Sequence, residues 1–218
     1  TLSPTRRSSD LLLAEQTSSE KTICNSIAFA ALPDEATVVT LQYATAAKNV
    51  SLTSVKGLYL NIPNDVFNKF KREYIESGDG RYICVDGKFG VVSIYGDPLT
   101  VHKPPYRQIG LRKMPYKDRG MLHCDEICTT LQLTPHRYQK NECVFDFGVV
   151  VVAGAGVKET AEVKVKKLDT DNPLCRMVSV TGQNGIEYII AANFGYEPLT
   201  VEVRGKTATL EAGRADIF

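Results

Sequence analysis

The sequence predicts an all-β fold, an antiparallel β-sandwich with one short helix and a small C-terminal β-sheet. Three observations carry that expectation. Apolar and polar residues alternate through about a dozen short segments. Turn-forming pairs, Asp86-Gly87 and Asn184-Gly185, fall between such segments. The run Val149 to Val152 is apolar on both faces, as expected of a strand enclosed within a core.

Taken in order, residues 1–20 stand apart. "TLSPTRRSSDLLLAEQTSSE" has no sustained period and matches neither a signal peptide nor a strand. "TLSPTRRSSDL" looks like translated sequencing-adapter read-through joined to a truncated reading frame. Residues 1–20 are therefore expected to be non-native or disordered, with native chain missing before them. "TVVTLQYA" then places Val39, Leu41 and Tyr43 on one strand face. "NVSLTSVKGLYLNI" alternates Val50 and Leu52, then Leu58, Leu60 and Ile62, with Gly57 as a bend or bulge. The one helix is expected next. Asn64 or Asp65 caps it, Phe67, Phe70 and Tyr74 share a stripe, and "SGDG" at Ser77 to Gly80 ends it.

"RYICVDGKFGVVSIYGD" reads as a hairpin turning at Asp86-Gly87. From Asp97 to Gly120 proline and glycine break the pattern, and the stretch is either a long functional loop or edge strands disguised by proline. "EICTTLQLTP", "CVFDFGVVVVAG" and "AEVKVKKL" resume strand alternation, and the lysines of the last form a wet strand face. Two hairpins follow, one turning at "QNG" and one running from Tyr188 to Gly205. In the second, Leu199, Val201 and Val203 face inward and Thr200, Glu202 and Arg204 face water. Rising polar and proline content in "KKLDTDNPL" separates a large sandwich, 21–168, from a small C-terminal subdomain, 169–218.

Composition bounds the partners. The formal net charge is +1 with both signs interspersed, which gives no electrostatic footprint for a phosphate backbone. Nucleic acid is not an expected partner. No apolar run reaches the roughly 18 residues of a membrane helix, so a membrane is not expected either. Six scattered cysteines lack CxxC spacing and read as buried thiols.

Candidate chemistry is sparse. "VVVVAGAGVKE" has two glycines after a buried strand, but Glu159 stands where a dinucleotide loop needs its third glycine. The following residues alternate with period two, so no cofactor is expected. "LHCDEIC" concentrates His123, Cys124, Asp125, Glu126 and Cys128. In an extended strand His123 and Asp125 share one face, with Cys124 and Glu126 on the other, one pair wet and one buried. His123 and Asp125, with His136, are the candidate catalytic acid–base groups, because a carboxylate beside an imidazole fixes its tautomer. A metal is not expected, since a second ligand pair at zinc-binding spacing is missing. "TPHRYQKN" has turn composition, and its Arg137 and Tyr138 suit sugar or carboxylate binding. Tyr106 and Arg107 are the matching candidates in the proline-rich stretch.

The C-terminal "GIEYIIAANFGYEPLTVEVRGKTATLEAGRADIF" resembles the small terminal β-sandwich of glycoside hydrolases. Asn193, Phe194, Glu197, Pro198, Val201, Leu210, Gly213 and Phe218 carry the likeness. Upstream, "VKGLYLNIPNDVFNKFKREY" and "VFDFGVVVV" look like the large β-sandwich of multi-domain carbohydrate-active enzymes, including polysaccharide lyases. The resemblance implies a non-catalytic accessory region that supports a catalytic domain on its N-terminal side or binds glycan, in a secreted or periplasmic enzyme. Two alternatives remain open: a self-sufficient lyase or epimerase, and an extracellular binding module.

Overall fold

The computed structural model describes residues 11–17, 22–63, 71–103 and 124–218. Its architecture is all-β: antiparallel sheets stacked in layers, with a single short helix among the described residues. The central layer is a seven-stranded sheet. It runs β1 (Leu11–Thr17), β2 (Ile23–Ala31), β3 (Thr37–Ala46), β14 (Cys143–Ala153), β9 (Phe89–Tyr95), β8 (Tyr82–Val85) and β7 (Tyr74–Glu76). β1 forms where the sequence pattern predicts no strand; Leu11 to Thr17 pair in unbroken register with Ala30 to Cys24.

Both faces of this sheet are covered, and β14 shows why its valines are continuous. Val150 and Val152 join Val39 and Leu41 against a four-stranded sheet, β15 (Val165–Leu168), β16 (Cys175–Thr181), β17 (Glu187–Asn193) and β20 (Ala215–Ile217), which contributes Val178, Val180, Ile190 and Ala192. Val149 and Phe147 join Ile83 and Val91 on the opposite face. Covering that face is a three-stranded sheet of β10 (Thr100–His102), β11 (Cys124–Cys128) and β6 (Leu60–Pro63), whose Ile127 enters the same core. The predicted face of Val39, Leu41 and Tyr43 packs together as expected.

The Asp86-Gly87 turn joins β8 and β9; both residues take positive φ, 52° and 62°, and with Lys88 they form the three-residue loop between the paired Val85 and Phe89. Two expectations fail here. Residues 64–70 lie outside the described residues, but Tyr74 opens strand β7, opposite Val85, and "SGDG" is the turn between β7 and β8. At Tyr74 sheet pairing wins over helical spacing, because Tyr74 gains a ladder partner and covers the core of Ile83 and Val85. The described helix, α1 (Val157–Glu162), instead follows "AGAG", where period-two alternation predicts none. Thr160, fully buried, donates its hydroxyl to the Gly156 carbonyl at 2.7 Å and rests on Gly90 of β9. This helix makes no phosphate cradle: it is six residues long, and the Glu159 carboxylate already lies against its N-cap, Gly156.

The segment from Tyr188 to Gly205 is a further correction. β17 and β18 (Leu199–Val203) do not pair. β18 pairs with β19 (Lys206–Leu210) through a turn at Arg204-Gly205, φ 51° and 73°, and this hairpin forms the outermost layer. Its Val201, Val203 and Leu210 pack on the outer face of β16 and β17 through Met177 and Ile189. The chain changes layer at Asn193, whose side chain is completely buried. Asn193 Nδ2 donates to the carbonyls of Glu197, Leu210 and Glu211 at 2.8–3.2 Å, and its Oδ1 accepts the Gly195 N–H at 2.9 Å.

A polar latch ties the central and four-stranded sheets together. Arg176 of β16, 8% exposed, donates from Nε to both Asp146 oxygens at 2.9 and 3.1 Å and from Nη1 to the Pro173 and Cys175 carbonyls. Its guanidinium lies 4.7 Å over the Tyr43 ring. The six cysteines are free thiols: Cys84, Cys128 and Cys175 are buried, whereas Cys24 and Cys124 are half-buried and Cys143 is exposed.

Candidate functional site

Three short antiparallel pairs, β6 with β11, β5 (Val55–Lys56) with β12 (Leu131–Gln132), and β4 (Val50–Leu52) with β13 (His136–Tyr138), follow one another as a single ribbon. Residues 124–138 run against residues 50–63, with one register slip between Gln132 and His136. All the described candidate residues, Asp125, His136, Arg137 and Tyr138, lie on the second strand of this ribbon. Asp125 and His136 sit on the order of 30 Å apart along that strand, and the structure does not bring them together. His123, Tyr106 and Arg107 lie outside the described residues.

At the first end, β11 carries two buried carboxylates on opposite faces, rather than one wet and one buried pair. Asp125 (1% exposed) points to the central sheet and accepts the Tyr74 hydroxyl at 2.8 Å. Burial, then this hydrogen bond, pushes the Tyr74 phenol above its ordinary value. Glu126 (6% exposed) points outward and accepts Lys56 Nζ at 2.6 Å and the Tyr59 hydroxyl at 3.1 Å. His102 stands opposite Glu126 in the ladder, with its Nε2 3.8 Å from the carboxylate. On the same strand, burial and then the Glu126 charge raise the Cys128 thiol to about 11, so it stays protonated and inert at neutral pH. Two consecutive positive φ angles, 65° at Leu58 and 54° at Tyr59, bring the Tyr59 hydroxyl to this cluster while Leu58 packs on the core. Gly57 before them is held so close that a Cβ would lie 2.8 Å from Thr129 Oγ1 and 3.1 Å from the Phe147 ring. The predicted bend at Gly57 is therefore a packing contact as well as a turn. Lysine and tyrosine both bond the Glu126 carboxyl, so the cluster reads as an anchoring ion pair that ties the two strands of the ribbon together.

At the far end, "HRY" is strand where turn composition predicts a loop tip. β13 pairs His136 with Leu52 and Tyr138 with Val50. His136 and Arg137 are exposed as expected, but Tyr138 is only 6% exposed, its ring meeting His136 edge-on at 4.6 Å.

Between the ends lies an open surface groove of about 560 Å³. Asp97 and Pro98, at the turn into β10, line it together with Thr130, Leu131, Gln132 and Tyr138. Two hydrogen-bonded pairs organise it. Thr130 Oγ1 donates to Asp97 Oδ2 at 2.6 Å, and the Tyr138 hydroxyl donates to Gln132 Oε1 at 2.6 Å. Gln132 Nε2 is fixed in turn by the Thr134 carbonyl at 2.8 Å. Pro98, Leu131 and Val144 supply apolar surface beside these polar groups.

Tyr138 is the one sequence-predicted binding residue in the groove. Asp97, Thr130 and Gln132 escape sequence reading because a threonine or glutamine in a polar strand carries no motif. Lys56, Tyr59 and His102 escape it because the ladder joins residues tens of positions apart. The described residues hold no cluster of metal-ligating side chains and no helix long and apolar enough to cross a membrane. No family model matches the chain, and no curated protein matches it.

Proposed function

We propose that the chain is a β-sandwich accessory region of a larger carbohydrate-active enzyme and that it holds glycan in the groove between Asp97 and Gln132. One observation carries this reading: the groove sets a carboxylate, a hydroxyl, an amide and a phenol, each oriented by a partner, beside apolar wall. Sugars present this combination in reverse, hydroxyl groups around the ring and C–H surface on its faces. The likeness of the terminal segment to glycoside hydrolase sandwiches supports the reading, and Asn193 within it performs a specific structural task. The catalytic domain would lie on the N-terminal side.

Affinity electrophoresis against a polysaccharide panel tests the proposal. The folded chain is expected to be retarded by at least one polysaccharide. Gln132→Ala and Asp97→Ala are each expected to weaken that retention about tenfold, the scale of one or two lost hydrogen bonds. Asp97 is exposed and Gln132 only half-buried, so the melting temperature should stay within a few degrees of wild type. A folded wild-type chain that no polysaccharide retards would end the reading.

A further inference from the structure

We infer that the groove selects uncharged glycan chains over uronate-bearing or sulfated ones, an inference that rests on the glycan-binding reading above. Among the described residues, those lining the groove include one carboxylate, Asp97, and no lysine, arginine or histidine. A bound carboxylate or sulfate would therefore meet a like charge with no counter-ion among these described residues. In a partly solvated cleft that repulsion is on the order of a tenfold loss of affinity, and it adds to the desolvation of the ligand anion. A neutral hydroxyl meets the opposite situation. Asp97 uses Oδ2 for Thr130, and its other oxygen can accept a sugar O–H in a charge-assisted hydrogen bond.

The spacing of the polar pairs favours an extended ligand. Thr130 and Gln132 are two residues apart on extended chain, so the Asp97–Thr130 and Tyr138–Gln132 pairs repeat after about 7 Å. Ladder bonds hold that spacing, since the Gly57 N–H donates to the Thr130 carbonyl at 2.8 Å and Gln132 pairs with Val55. Pro98 and Leu131 add apolar lining on which a sugar face can rest.

Calorimetry decides the matter with length-matched probes at pH 7: neutral hexasaccharides of glucose, xylose and mannose on one side, hexagalacturonate on the other. The wild-type chain is expected to bind at least one neutral probe and to bind hexagalacturonate at least tenfold more weakly. Asp97→Asn should narrow that gap, and Asp97→Lys should reverse it. Raising the salt concentration should narrow the wild-type gap, because screening removes charge repulsion and leaves steric rejection untouched, and should likewise shrink the reversed gap of Asp97→Lys. Hexagalacturonate bound as tightly as the neutral probes, or a gap that Asp97→Lys leaves in place, would overturn the charge selection while leaving glycan binding intact. Binding of neither class would overturn both.

Discussion

Asp146→Ala is expected to lower the unfolding free energy by about 3 kcal/mol, measured by urea denaturation with matched m-values. The substitution removes little apolar contact. Its cost comes from Arg176, which is left charged and nearly enclosed between two sheets without a counter-ion. The Pro173 and Cys175 carbonyls and the Tyr43 ring still receive the guanidinium, which places the loss at the lower end of the range for broken buried pairs. The double variant Asp146→Ala with Arg176→Met is expected to recover most of the loss, because methionine fills the stem's volume without a charge. A single variant within 0.5 kcal/mol of wild type, on a scale where ordinary surface changes lie, would show that solvent reaches Arg176 after all.

Asn193→Asp is expected to be at least as damaging, about 3–5 kcal/mol at neutral pH. The amide donates to three carbonyl oxygens. A carboxylate would present negative charge to the same three acceptors with no water to separate them. Asn193→Ala should cost less, about 1–3 kcal/mol, since it leaves groups unpaired without adding repulsion. The pH response separates the two variants. An aspartate in that position has a folded-state pKa raised above its unfolded value of about 3.9, so the folded state binds the proton more tightly. Stability of Asn193→Asp relative to wild type should then improve as pH falls toward 4 and be lost as pH rises through the folded pKa. Asn193→Ala should track wild type throughout, and parallel pH profiles for all three proteins would refute the assigned hydrogen bonds.

Asn193 also marks what could be read from the chain and what could not. The strand faces were legible where side-chain alternation met a single neighbouring layer, as at Val39, Leu41 and Tyr43, and the turn at Asp86-Gly87 was legible because only a few residue pairs take two successive positive φ angles. The unbroken valines of β14 announced burial on both sides. The helix at Val157–Glu162 was illegible: one and a half turns have no period to detect, and what holds them is the fit of Thr160 on Gly90, more than sixty positions away. Tyr74 misled for the converse reason, its spacing from Phe67 and Phe70 being helical while its partners in space are Val85 and Asp125. Sequence alone reads Tyr188 to Gly205 as one hairpin because two good strands joined by a turn look alike whether they pair or pass between layers; the buried amide distinguishes them.

The groove was legible only through Tyr138. Its hydrogen-bonded pairs join residues of different segments, Asp97 with Thr130 above all, and the intervening chain folds back through β10 and β11 before they meet. In sequence Glu126 is one of several ionisable residues in a row, yet its partners Lys56 and Tyr59 lie on the opposite strand of the ribbon. Ladder register, rather than local motif, creates both features, and register is a property of the assembled sheet.

The pairing of β3 with β14 sets a timetable for the nascent polypeptide. Thr37 finds its ladder partner at Val152, more than a hundred positions later in the chain. At a translation speed of roughly 5–20 residues per second, β2 and β3 emerge about 5–20 seconds before the strand that will cover their edge. Throughout that interval Ala28, Ala30, Val39 and Leu41 have no completed layer to lie against, so a ribosome-associated holdase would find its natural client in this hairpin.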